Sequence, residues 1–202
     1  KDVIMNTVDQ LDSVKNKVLS TGRVNAYKAL QSLGSDEHTK LYFPHVASNK
    51  NWGTEIAIIN TGSKQLSGTL AAYNAQGNKL SQKNLTIPGN GRWAYTVESK
   101  FSNPQDIRYL MFASDSPAVC GYTKFYNEGL YRVAVPAVRE INTDDTYVPH
   151  IDSSNKWWTG LALVNTTDSK KTLNIKFNTG QTKQVAMGPG EHTSFNIKSF
   201  FG

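Results

Sequence analysis

"YFPHVASNKNWGTEIAIINTGS", Tyr42 to Ser63, recurs without a gap as "YVPHIDSSNKWWTGLALVNTTD", Tyr147 to Asp168. Nine of the 22 positions are identical, and five more exchange one apolar residue for another. Self-similarity of this kind marks a duplicated structural unit. The likeness continues with small gaps, "YNAQG" (73–77) against "FNTG" (177–180) and "IPGNGRWAYTV" (87–97) against "MGPGEHTSFNI" (187–197).

The shared plan is all-β. "TEIAIIN" and "TGLALVN" are short runs rich in branched apolar residues, each ending in Asn-Thr with turn residues after it. "GTLAAYNAQGNKLSQKNLTI" reads as two strands joined by a Gly-containing turn. In "RWAYTV" alternation puts Trp93, Tyr95 and Val97 on one face, as it puts Thr193, Phe195 and Ile197 in the copy. "IRYLMFAS", "AVCGYTKFY" and "LYRVAVPAV" add three strands to the first unit. The second unit stops at "FNIKSFFG", where the first has about forty residues still to run, so it is either smaller or cut short. Short strands at regular spacing predict tandem antiparallel β-sandwich units, immunoglobulin-like or jelly-roll-like. The predicted boundaries are 1–35 for a helical segment and linker, 36–140 for the first unit and 141–202 for the second.

Composition narrows the function. The chain has 202 residues, 38% of them hydrophobic and 19% charged, as in an ordinary globular protein. No apolar run approaches the roughly 18 residues that cross a membrane, so membrane insertion is not expected. The net charge of +6 comes from scattered lysines rather than from a basic tract, and phosphate recognition needs cations gathered on one surface. Nucleic acid is therefore not an expected partner. The lone Cys120 excludes a disulfide framework, and its place in "AVCGYTKFY" predicts an inert thiol buried on a strand.

Residues 1–34 stand outside this plan. They predict a helix end, an irregular stretch and a short helix over Val24–Leu30, with Gly22 at its start and Gly34 after it. "VIMNTVD" (3–9) and "TGRVNAYKAL" (21–30) resemble, in order and spacing, the C-terminal end of the catalytic domain of subtilisin-like serine proteases. Thr21 stands where that family has a glycine. The region after Ser35 is similar to the tandem β modules appended to secreted bacterial subtilases. The resemblance implies an upstream protease domain as partner and a secreted or cell-surface location. It also implies accessory work: holding the enzyme on a polysaccharide, a cell surface or a protein polymer, or stabilising it. A carbohydrate-binding or surface-binding module with no protease link, and a structural spacer, are the rival readings.

The catalytic contexts of that family, "D-[ST]-G", "H-G-T-H" and "G-T-S-M-A", do not occur, so no peptidase activity is expected of this chain. Asn60 and Asn165 read instead as strand-end turn residues whose side chains bond local backbone. His45 and His150, each after a proline in the repeat, read as structural histidines at the start of a strand with a backbone hydrogen bond. No cofactor is expected. "NTDD" (142–145) offers oxygens to calcium but lacks the interleaved acidic pattern of a dedicated loop, and reads better as an exposed linker. "NLT" (84–86) and "NTT" (165–167) are glycosylation sequons.

The candidate binding residues are Trp52, Trp157 and Trp158. Trp52 and Trp157 are equivalent, which predicts matching and mostly buried places at the end of each sandwich. Trp158, opposite Gly53, is not needed by the plan and is the better surface candidate, since exposed indoles stack on sugars and apolar groups.

Overall fold

In the first repeat, strand β4 (Gly53–Asn60) turns Thr54, Ile56, Ile58 and Asn60 inward, all fully buried. Alternation of this kind demands a second layer, and the chain supplies one. The strands of the repeat are β3 (Thr39–Phe43), β4, β5 (Leu66–Tyr73), β6 (Lys79–Ile87), β7 (Arg92–Thr96), β8 (Tyr109–Ser114), β9 (Val119–Asn127) and β10 (Tyr131–Pro136). They form two four-stranded antiparallel sheets, β10-β9-β4-β7 and β3-β8-β5-β6. Between the sheets lies one apolar cluster that includes Phe43, Ile56, Ile58, Leu70, Ile87, Leu110 and Phe112, with Trp93 packed against it. Burial of each such side chain stabilises by about 1.5–3 kcal/mol. The computed structural model describes residues 9–10, 22–23, 39–127, 131–139, 145–154 and 156–202.

The protein is mainly β and sandwich-like. Two turns show how local chemistry sets it up. Gly77, at φ +81°, lets the β5–β6 hairpin close through Asn74, whose Oδ1 accepts from the Gln76 and Asn78 amides. After β7 the helical turn Val97–Lys100 begins at Thr96, whose hydroxyl accepts from the Ser99 amide.

The second repeat keeps only part of this. Its strands are β11 (Gly160–Val164), β12 (Lys171–Lys176), β13 (Thr182–Met187) and β14 (His192–Asn196). They form two separate pairs, β11-β14 and β12-β13. These match β4-β7 and β5-β6; nothing among the described residues matches β8 or β9. Consequently, among the described residues, β11 and β12, whose counterparts are central strands, are each paired along one edge only. The segment matching β3 is not a strand either, and Tyr147 (83% exposed) and Val148 stand in solvent where Tyr42 and Phe43 are buried.

Residues Thr39–Gly202, holding both repeats, are one compact unit, and Lys1–His38 another. Of the latter, β1 (Asp9–Gln10) pairs antiparallel with β2 (Gly22–Arg23). Gly22, expected at the start of a helix, therefore pairs as extended backbone with Gln10. The helix expected over Val24–Leu30, and most of the two subtilase-like motifs, lie outside the described residues.

Cys120 corrects a sequence expectation. It lies on β9 as expected, but it is exposed. Val119, Thr123 and Phe125 face the core, so the even-numbered Cys120 points outward.

Candidate binding surface

The duplication holds down to single hydrogen bonds. Asn60 Nδ2 donates to the carbonyls of Lys64, Ile87 and Pro88, and its Oδ1 accepts from the Gly62 amide. Asn165 Nδ2 donates to Ser169, Met187 and Gly188, and its Oδ1 accepts from Thr167. Each asparagine thus fastens the end of one strand to the turn leading into another, as the sequence suggests for a strand-end turn. Asn165 is buried, so its sequon presents no free amide, whereas Asn84 is exposed.

The tryptophan loops are built alike as well. Asn49 Oδ1 accepts from the Asn51 and Trp52 amides, and Ser154 Oγ from those of Lys156 and Trp157. Thr54 Oγ1 accepts from Ala47, and Thr159 Oγ1 from Asp152. The indoles end differently: Trp52 is half-buried, while Trp157 and Trp158 are each 63% exposed. Trp157 thereby departs from the mostly buried place that its repeat position predicts. Loop geometry is local and survives duplication; burial needs neighbouring strands, and among the described residues β9 has no counterpart beside Trp157. Trp157, Trp158 and Tyr147 are the three most exposed aromatic side chains of the described residues.

The histidines also diverge. His45 is half-buried and stacked, while His150 is exposed, so the pair does not share one structural role. The partner of His45 is His192, which sequence reading did not single out. Their rings lie 5.9 Å apart at 15°, with Tyr109 also stacked on His192 and Phe125 tilted against His45. Tyr73 stacks on Tyr109 at 4.7 Å. This ladder is the contact between the repeats. The Tyr109 hydroxyl donates to the Gly190 carbonyl at 3.0 Å, and the His192 amide to Ala75 at 2.9 Å. Gly77 and Gly190 meet so closely that a Cβ on Gly77 would lie 2.6 Å from the Gly190 backbone.

His192 Nε2 and His45 Nδ1 are buried with no hydrogen-bond partner. Burial, then the neighbouring His45 and Arg108, pull His192 down to about 4, against the opposing effect of a bond to the Pro44 carbonyl. Burial and then Arg108 lower His45. Burial, then Tyr73, push Tyr109 up to about 12. Both imidazoles are therefore held neutral. In register His192 matches the exposed Arg92, which bridges Glu55 on the outer face of the first repeat. The same strand-start position is polar surface in one copy and inter-repeat contact in the other.

A shallow groove on the first repeat is lined by Glu55, Arg92, Trp93 and Tyr95. Its carboxylate is paired with Lys124 and Arg92, and Lys100 covers the Tyr95 ring at 3.5 Å. Among the described residues no cluster of three or more His, Cys, Asp or Glu side chains is placed to hold a metal. The calcium candidate at 142–145 lies outside the described residues apart from the exposed Asp145. Among the described residues no helix is long and apolar enough to cross a membrane.

Fold and surface together define a mainly β, sandwich-like protein with a repeated plan and three strongly exposed aromatic side chains. No family model matches the chain, and no curated protein does. A crystal structure described as Thermotoga maritima 1070 is similar over 52% of this chain and 97% of its own, at 14% identity and a TM-score of 0.42.

Proposed function

We propose that the chain is the non-catalytic accessory region of a secreted subtilisin-like serine protease, and that its exposed indoles hold the enzyme against a polymeric substrate or surface. The observation that carries attachment is the pair Trp157 and Trp158, adjacent and each 63% exposed, on a loop tied down by Ser154 and Thr159. Two large apolar rings held in water by an ordered loop are characteristic of a binding surface. The protease link rests on the resemblance of residues 3–9 and 21–30.

Retention on insoluble polysaccharide, cell-wall material and a protein polymer tests attachment. The parent protein is retained by at least one of them, and Trp157→Ala with Trp158→Ala loses that retention with the fold intact. If no polymer retains the parent, or the double variant is retained equally, the spacer reading takes its place. Finding "G-T-S-M-A" upstream in the natural protein would support the protease link, and a different upstream domain would refute it.

A further inference from the structure

Two ring nitrogens at the contact between the repeats, His45 Nδ1 and His192 Nε2, are buried without hydrogen-bond partners. They belong to neighbouring rings whose centroids lie 5.9 Å apart at 15°. A buried polar atom left unpaired is destabilising. Packing alone does not explain it, because Phe would fill either place in an aromatic ladder without that cost. Nor does the duplication: His150, the counterpart of His45, is exposed, and the counterpart of His192 is Arg92. The pair exists only where the two repeats meet.

Both atoms are set up as electron-pair donors. The His192 ring bonds the Pro44 carbonyl, and with Nε2 unpartnered that bond runs from Nδ1–H, which leaves the lone pair on Nε2. A ring N–H given to a backbone carbonyl is a common way of orienting a metal-binding imidazole. That carbonyl precedes His45, so one dipeptide orients the first ring and supplies the second. His45, with its proton on Nε2, presents Nδ1 in the same way. Burial and the nearby Arg108 keep both imidazoles neutral, so no proton competes for the lone pairs. The spacing suits a shared ion. Imidazoles whose nitrogens sit about 2.0 Å from one ion have centroids roughly 6 Å apart when opposed edge to edge. Full face contact would instead bring them to about 3.5–4.0 Å.

The rest of the surroundings selects the ion. Among the described residues no third His, Cys, Asp or Glu completes a ligand set, whereas structural Zn2+ takes four ligands. The charged group beside the two rings is the Arg108 guanidinium, which penalises a divalent cation more than a monovalent one. We infer that His45 Nδ1 and His192 Nε2 form a two-coordinate site for a monovalent closed-shell ion, Cu(I), which ties β14 of the second repeat to the segment after β3 of the first. Two neutral donors in line satisfy such an ion, and imidazole is among the ligands that suit copper. The site is separate from the attachment surface on Trp157 and Trp158, so either reading can fail alone.

The test uses the full chain with Cys120→Ser, because the exposed thiol would take a soft cation first. Ag(I), which shares the linear two-coordinate preference and stays monovalent in air, is the probe. It should bind at one ion per chain, shift the ring-nitrogen resonances of His45 and His192 but not of His150, and raise the urea midpoint. Zn2+ at the same concentration should produce none of these changes. His45→Phe and His192→Phe, which keep a ring in the ladder, should each weaken binding by at least about tenfold, the lower end of what losing even an outer-shell partner costs. The ring shifts are read without either variant, so the test does not depend on how the variants fold. No binding, shifts at His150 in place of His45 and His192, unchanged affinity in both variants, or an equal response to Zn2+ would overturn the proposal. A buried water donating to both lone pairs would then be the better account of the two nitrogens.

Discussion

Asn60 and Asn165 sit in the same web of carbonyls, and the two tryptophan loops close through the same hydrogen bonds, yet the surroundings differ. Around Asn60 stand two four-stranded sheets and a common apolar core; around Asn165 stand two strand pairs. Of the side chains after residue 144, Met187, Ile197, Asn165 and His192 are the buried ones. The comparison separates two things that a repeat can copy. Turn chemistry is encoded within a few residues and is preserved. Burial depends on strands distant in sequence, and among the described residues two of them have no counterpart in the second repeat.

The largest effects should expose that difference directly. Phe112→Ala and Ile58→Ala should each cost about 3–5 kcal/mol in urea titrations, because each leaves a cavity in a closed core. Leu163→Ala, the second-repeat match of Ile58, should cost about 1 kcal/mol or less. Equal losses would mean that the second repeat is as well packed as the first.

Acid should act on the junction between the repeats. His192 and His45 are held below the ordinary range, so the unfolded or undocked form binds more protons as pH falls. Their contribution is complete above about pH 6.5, declines through the window down to about 4, and is flat below it. For His192 the shift corresponds to about 3 kcal/mol. The groups facing this imidazole are His45, Arg108, Tyr109 and the Pro44 carbonyl. His192→Phe keeps a ring in the stack without the titration, and should flatten the pH dependence of stability over that window. An unchanged slope would place the acid sensitivity elsewhere.

Asn60→Ala should cost about 2 kcal/mol or more, by leaving buried carbonyls short of donors. Asn165→Ala should loosen the second repeat alone, with the urea transition of the first unmoved. The smallest effect concerns Cys120: a thiol reagent should label it rapidly in the native protein, and Cys120→Ser should change stability by no more than about 0.5 kcal/mol.

Much of the first repeat was legible because its signals are local. The run of branched apolar residues in "TEIAIIN" marked β4, the Gly-containing turn marked the β5–β6 hairpin, and Asn-Thr marked the strand ends. The face of Cys120 was not legible: "AVCG" is a continuous small or apolar run, which leaves the inward parity unspecified. Trp157 misled because a repeated residue suggests repeated burial, and among the described residues no strand lies along β11 as β9 lies along β4. His192 gave no signal, since everything that makes its site, from Pro44 to Tyr109, belongs to the other repeat.

Native-state hydrogen exchange of β4 and β5 against β11 and β12, within one sample, measures the difference between a closed and a half-open sandwich most directly. Amides of β4 and β5 should exchange only through global unfolding. In β11 and β12 the amides facing β14 and β13 should show intermediate protection, and the alternate amides facing the free edges should exchange almost as fast as unstructured peptide. Uniform protection of β11 and β12 at the level of β4 and β5 would show that their edges are covered, and would contradict the half-open second repeat.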